Sequence, residues 1–322
     1  MLALLLAALQ AAAPSPGPAP SPQSPSQIAA EAPAAEWVDI TPNDLLVMEL
    51  APAATGRPRR IVIQLVPPPF SAPWVANIRT LARARWWDGT SVNRVQDNYV
   101  AQWGDATEAK PLPDGLLTGT EAGYTTQLDQ QDSVVAGHVE HTLTPPITAL
   151  RRADGGLEVD PYARGGVGFV GGFPVGNEGY GSPDTWPLHC YGAVGVGRNL
   201  SPDTGYGAEL YAVIGHAPRH LDRNIAVVGR VIEGIEHLSS LPRGTGALGF
   251  YERPEERVAI RSIRLGSDLP AADRPRLQYL AEGGATMTRF IAARQNREPP
   301  FFIRPAGGAD ICNVPVPVRA AP

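Results

Sequence analysis

The chain has 322 residues, a formal net charge of −5, and 34 each of glycine and proline. That length holds one large domain or two modest ones. The mild acidity excludes the basic footprint that nucleic-acid binding needs, and the glycine and proline content points to short strands and many turns rather than a helical bundle.

The first residues, MLALLLAALQAAA, form an apolar run that ends in small residues. Residues 1–13 read as a secretory signal peptide with an Ala-x-Ala site near its end. A misplaced start or simple disorder is the alternative, because no Lys or Arg precedes the run and Pro14 follows it. Export is the expectation, to the periplasm, with secretion as the alternative. The run is shorter than the roughly 20 apolar residues that span a bilayer, so no integral membrane segment is expected after its removal. Residues 14–36 are rich in Pro, Ala and Ser and read as a flexible linker.

LLVMEL at residues 45–50 and RIVIQLV at 60–66 read as a strand pair. Ser71 is placed to cap a helix, with Pro73 in its first turn. Val75, Ile78, Leu81 and Ala82 then recur at helical spacing, so an amphipathic helix is expected to end near Arg85. Asp88-Gly89 suits a type I′ hairpin turn. Beyond it, Val92, Arg94, Gln96 and Asn98 fall on one parity of an extended segment, and Tyr99, Ala101 and Trp103 on the other. A bulge or bend near Asp97 and Asn98 would bring Arg94, Tyr99 and Gln102 onto one face.

Residues 106–186 are far longer than an ordinary connection. Phe169, Phe173, Tyr180 and Trp186 give them apolar surface, so a folded insertion is expected, with a strand at 133–142. Strands follow at 192–198, in LYAVIG and in IAVVGRV. Val231, Ile232, Ile235 and Leu238 lie along one side of an expected second helix, and residues 257–266 alternate as a last strand. In residues 267–322, Leu277 and Leu280 fit one short helix and Met287, Phe290 and Ile291 another, split by Gly283-Gly284. This C-terminal helical extension and tail is too small to fold alone.

Only Cys190 and Cys312 are present. In an exported protein they could pair, stapling the tail to the main domain, or they could stay as two buried thiols. The histidines form no ligand set. His138 and His141 sit in an expected strand, where i and i+3 face opposite ways, Pro218 separates His216 from His220, and His189 only adjoins Cys190. The glycine-rich VGFVGGFPVG opens no helix after a strand, which argues against a nucleotide loop. Ser-His-Asp catalysis lacks a Gly-x-Ser-x-Gly elbow. No metal and no cofactor are expected.

Three collinear blocks carry a family resemblance. In residues 86–105, WWDGTSVNRVQDNYVAQWGD, the positions Asp88, Gly89, Thr90, Asn93, Arg94, Val95, Gln102, Gly104 and Asp105 are in register with the catalytic strand pair of the cyclophilins, the peptidyl-prolyl cis-trans isomerases. Residues 207–234, GAELYAVIGHAPRHLDRNIAVVGRVIEG, resemble the family's second block, and residues 60–83 its first hairpin strand and first helix. The resemblance covers much of residues 45–244, interrupted by the insertion. It implies a mainly β fold, a closed eight-stranded antiparallel barrel capped by two helices, in an isomerase domain spanning residues 37–266 with the insertion at about 106–186.

The resemblance also implies roles. Arg94 takes the place of the arginine that draws electron density from the prolyl amide, and Gln102 that of the amide holding it. Tyr99, Val100, Tyr211, His220 and Leu221 fall where the family lines its proline pocket. Three departures stand out. Ile225 occupies a position that is often histidine. Glu209 replaces a glutamine, so a carboxylate could pair with Arg94 and either orient or neutralise it. Trp103 replaces a glycine and would alter the turn or wall the groove. The expected substrates are proline-containing segments of exported or unfolding proteins. The alternative is a binding or scaffold module for proline segments with little catalysis and a chaperone-like role. The oligomeric state stays open.

Overall fold

A computed structural model describes residues 22–135, 138–144, 148–152, 154–156, 160–179, 182–298 and 301–322. The expected signal peptide and the start of the linker lie outside the described residues. The centre is a closed barrel of eight strands, every neighbouring pair antiparallel. In chain order they are β1 (Leu45–Leu50), β2 (Arg59–Leu65), β3 (Ser91–Val95), β4 (Val100–Gly104), β5 (Ala193–Val196), β6 (Leu210–Val213), β7 (Val227–Glu233) and β8 (Val258–Leu265). Around the barrel they run β5, β6, β4, β3, β8, β1, β2, β7, with β7 closing onto β5. Closure leaves no free edge, and β-branched and aliphatic side chains such as Met48, Ile61, Ile63, Val92 and Val194 fill the interior.

The helices are α1 (Pro25–Ala30), α2 (Ala72–Arg83), the single turn α3 (Glu236–Ser239) and α4 (Ala285–Gln295). The two expected to cap the barrel are α2 and α3; α1 and α4 belong to a second layer and pack on each other. Helix α2 buries Val75, Ile78, Leu81 and Ala82, the stripe its spacing predicts, and Trp74 beside them. Ser71 does not cap it. Its backbone is left-handed, with φ 48°, and its hydroxyl donates instead to the Val227 carbonyl at 2.7 Å, tying the helix start to β7. The expected second helix is mostly strand. Val231 pairs with Ile63 on β2, and β7 continues to Glu233. Gly234 then turns the chain at φ 80°, where a Cβ would lie 2.1 Å from the Arg60 carbonyl oxygen. The turn at Asp88-Gly89 is also not a hairpin turn, since the chain reaches it from α2. Arg264 fixes it, with two hydrogen bonds of 2.7 and 2.6 Å to the Asp88 carboxylate.

The insertion is folded. Thr126–Gln127, Ser182–Pro187, Phe173–Gly179, Val167–Val170 and Thr148–Ala149 form a five-stranded sheet in that order. The single strand expected at 133–142 is two arms of a hairpin, Asp129–Val135 and His138–Thr144.

Two expectations near the termini are corrected. The linker is not wholly flexible: Ser24 and Gln27 form a capping box around Pro25 at the start of α1, a pattern that closes two orphan donors reciprocally. Ile28 is then buried with Trp37, Met287 and Phe290. The short helix expected at Leu277 and Leu280 is a strand, Leu277–Leu280. It pairs with Trp37–Asp39 on one side and Val318–Ala320 on the other. A spacing of three in so short a run fits either state, and two ladders of main-chain hydrogen bonds decide for the strand. The helix expected at Met287, Phe290 and Ile291 is α4.

Residues from α1, the insertion and the C-terminal extension thus share a second apolar core, which includes Trp37, Leu150, Phe169, Trp186, Leu280 and Ile311. Cys190 and Cys312 form a disulfide inside it, with Cα atoms 5.0 Å apart. Among the described residues no helix is long and apolar enough to cross a membrane.

Candidate active site

The site is built on the β3–β4 hairpin. The chain reverses over Gln96–Tyr99, where the Tyr99 N–H donates to the Gln96 carbonyl at 3.3 Å and Asn98 takes φ 49°. The ladder also slips between Val92 and Arg94, so that Arg94 faces Gln102. The reversal at Asp97 and Asn98 is the bend that the sequence allows for, and the slip between Val92 and Arg94 adds to it. They gather Arg94, Tyr99 and Gln102, which simple alternation would separate.

Arg94 is held by three acceptors. Its Nε donates to the Leu248 carbonyl at 2.7 Å and its Nη1 to Gln102 Oε1 at 3.0 Å; its Nη2 donates to Gln96 Oε1. The rings of Tyr99 and Phe250 lie 5.7 and 5.4 Å from the guanidinium carbon. A guanidinium carries five N–H donors. One on Nη1 and one on Nη2 therefore remain for a ligand. Burial lowers the pKa of Arg94, against the raising influence of Tyr99 and Tyr211.

The expected ion pair between Glu209 and Arg94 does not form, because Gln102 stands between them. Its Nε2 donates to Glu209 Oε2 at 3.5 Å while its Oε1 accepts from Arg94. Burial pushes the Glu209 carboxyl from 4.5 up to about 7, opposed by hydrogen bonds from Gln102 and Asn93. Near neutral pH the group is partly protonated, so its charge is much reduced where it meets Gln102.

Beside the guanidinium lies an apolar cluster. Val100, Ala193, Tyr211, Val213 and Val227 are buried in it, and Tyr99, Leu221 and Ile225 pack on its edge. Four of the expected pocket residues, Tyr99, Val100, Tyr211 and Leu221, thus meet in one place. His220 is exposed at the rim and stacks on Tyr99, with ring centroids 6.3 Å apart. Ile225 makes this wall apolar where the resemblance has histidine. Trp103 does not wall the groove. It is fully buried in the barrel core, where its ladder partners are Val92 and Leu210.

Sequence reasoning missed several residues here. Leu248 and Phe250 come from the connection between α3 and β8, about which the sequence raises no expectation. Gln96 was assigned only a parity. His189, weighed only as a metal ligand, bonds the Tyr211 hydroxyl at 2.8 Å. Among the described residues no group of three or more His, Cys, Asp or Glu could hold a metal ion.

Comparisons with known proteins show the family and the fold. The family described as cyclophilin type peptidyl-prolyl cis-trans isomerase/CLD matches residues 54–265. No curated protein matches the chain significantly. Among solved structures, the chain is similar to the cyclophilin AquaCyp293 from Hirschia baltica, with 22% identity and a TM-score of 0.62, covering 94% of this chain and 99% of that one. A cyclophilin type isomerase of Cryptosporidium parvum, crystallised in the presence of the dipeptide Ala-Pro, is 12% identical with a TM-score of 0.34, covering 69% of this chain and 98% of that one.

Proposed function

The chain belongs to the cyclophilin-type peptidyl-prolyl cis-trans isomerase family, and from that premise we propose that Arg94 polarises the prolyl amide of a bound polypeptide over the apolar cluster at Tyr99, Val100, Tyr211 and Leu221. Rotation about an X-Pro bond is slow because amide resonance must be lost, a barrier of about 18–20 kcal/mol. Each ~1.36 kcal/mol of preferential transition-state stabilisation gives tenfold in rate. Neither a nucleophile nor a cofactor is needed. The proline ring sits against the apolar wall, and a guanidinium N–H donates to the prolyl amide, drawing electron density from the C–N bond. Gln102 holds the guanidinium in place.

The observation that carries this reading is the pair of N–H groups left on Arg94 at the edge of an apolar cluster. The test is protease-coupled turnover of a Xaa-Pro peptide. Arg94→Ala is expected to lower kcat/KM by about 10²–10³, the usual effect of losing one preorganised donor, with thermal unfolding unchanged. Full activity in that variant would remove Arg94 from the mechanism. A second reading, proline-segment binding with little catalysis, is favoured by the three acceptors already engaging Arg94. A wild-type chain that binds the peptide without turning it over would establish it.

The substrates we propose are proline-containing segments of exported proteins. The disulfide supports this, since such bonds persist in oxidising compartments, as does the apolar run at the start of the chain. Fractionation and N-terminal sequencing of the mature protein test it; a reduced, unprocessed cytosolic form would overturn it.

A further inference from the structure

Behind the apolar cluster runs a buried chain of polar groups that ends in the insertion. The Tyr211 hydroxyl bonds His189 Nε2 at 2.8 Å, and His189 Nδ1 bonds Asp222 Oδ1 at 2.9 Å. The same Asp222 oxygen accepts the His189 main-chain N–H at 2.9 Å. Asp222 Oδ2 accepts from Arg219 Nε at 2.5 Å. Arg219 then grips Asp160 with two further bonds, of 2.7 and 3.2 Å. The His189 side chain is 0% exposed, Asp222 2%, and Arg219 and Asp160 6% each. Asp160 belongs to the insertion, whereas Arg219 and Asp222 flank His220 and Leu221 at the rim of the site.

Chemistry fixes the order of this chain. A carboxylate oxygen accepts hydrogen bonds, so His189 Nδ1 is the donor to Asp222, and Nε2 faces the hydroxyl of Tyr211. The ring of Tyr211 has little freedom besides. It lies across the ladder from Gly195, where a Cβ would come within 2.3 Å of the hydroxyl oxygen. The barrel makes room for a tyrosine, and His189 anchors its end. A second clamp runs parallel: Arg223 pairs with Glu178 of the insertion at 2.6 Å and covers the Trp186 ring at 4.7 Å.

We propose that the insertion shapes the proline pocket through this chain, with His189 and Asp222 as positioning residues for Tyr211 and Asp160 as the insertion's hold on them. The proposal rests on the cluster being the proline site, and its test separates the two. Affinity for a Xaa-Pro peptide is read by NMR titration, independent of turnover, alongside kcat and KM. Asp160→Asn, which keeps shape and removes charge, is expected to weaken peptide affinity and raise KM by about threefold or more, with a smaller change in kcat. His189→Gln should do the same in the wild type. In a Tyr211→Phe background, which has no hydroxyl to anchor, it should add little.

Unchanged affinity and KM in Asp160→Asn, with cooperative unfolding retained, would overturn the proposal. So would an effect of His189→Gln as large in the Tyr211→Phe background as in the wild type, since the histidine would then act through packing alone. Loss of turnover in Arg94→Ala with these affinity patterns intact supports both readings. Peptide shifts that map away from Tyr99 and Tyr211 would overturn both.

Discussion

Arg94 and Leu248 are joined by a 2.7 Å hydrogen bond from the guanidinium Nε to a main-chain carbonyl. Leu248 takes φ 56° and is 67% exposed. The left-handed backbone aims the carbonyl, and the leucine side chain has little part in it. Leu248→Gly is therefore expected to keep turnover, because glycine adopts this conformation readily. Leu248→Pro locks φ near −65°, swings the carbonyl away and frees the guanidinium; kcat/KM should fall about tenfold or more. Equal activities in the two variants would show that this carbonyl does not orient Arg94.

Arginine cannot be exchanged for lysine here. One ammonium cannot serve the separate acceptors on Leu248, Gln96 and Gln102 while still offering planar donors to a ligand. Arg94→Lys should retain the fold and lose most of the activity that Arg94→Ala loses, measured in the same peptide assay. Activity near wild type would mean that positive charge alone suffices.

Glu209 predicts a pH dependence. With its carboxyl raised by burial from 4.5 to about 7, the anion forms as pH rises through neutrality. Its charge, relayed across Gln102, then partly neutralises Arg94 and weakens the pull on the substrate. Wild-type kcat/KM should decline above pH 7, and Glu209→Gln should flatten that decline. For stability the sign follows from linkage. The folded state holds this proton up to a higher pH than the unfolded chain, so the group's stabilising contribution is complete below about 4.5 and lost as pH rises through about 7. Glu209→Gln should raise Tm more at pH 8 than at pH 5, and equal shifts at both would contradict this.

The Cys190–Cys312 bridge spans 122 residues of sequence. Closing so long a loop restricts the unfolded chain, and losing it typically costs about 2–4 kcal/mol. Cys312→Ser should lower the urea midpoint by a corresponding amount, and dithiothreitol should lower it in the wild type only. A wild-type midpoint indifferent to reductant would show that the bridge adds nothing.

The parts of the site legible in the sequence are the local ones. Arg94, Tyr99 and Gln102 lie within one hairpin, where the resemblance marks them and a single bend is enough to bring them onto one face. Leu248 could not be foreseen, because a carbonyl has no side-chain signature and arrives from 154 positions away. Nor could the link between His189 and Tyr211, which depends on how the insertion returns to the barrel. The strand at Leu277–Leu280 carries no local mark of its state, because its pairing partner, Trp37–Asp39, lies at the other end of the chain. The cap at Ser24 and Gln27 was hidden in a run whose composition suggested disorder. Individual strands are legible from their local apolar pattern, whereas their closure into an eight-stranded barrel follows only from the resemblance to the cyclophilins.

The three-stranded sheet at the edge of the second core has a practical consequence. Its middle strand, Leu277–Leu280, comes from the C-terminal extension, and one of its flanks, Trp37–Asp39, comes from the segment leading into the barrel. A fragment ending near residue 266 would bare that flank as an unsatisfied edge and uncover Ile28, Trp37 and Phe169 to solvent. Such surfaces drive self-association. The molecule resists dissection: its accessories are interleaved with its frame, and removing them tests solubility before it tests function.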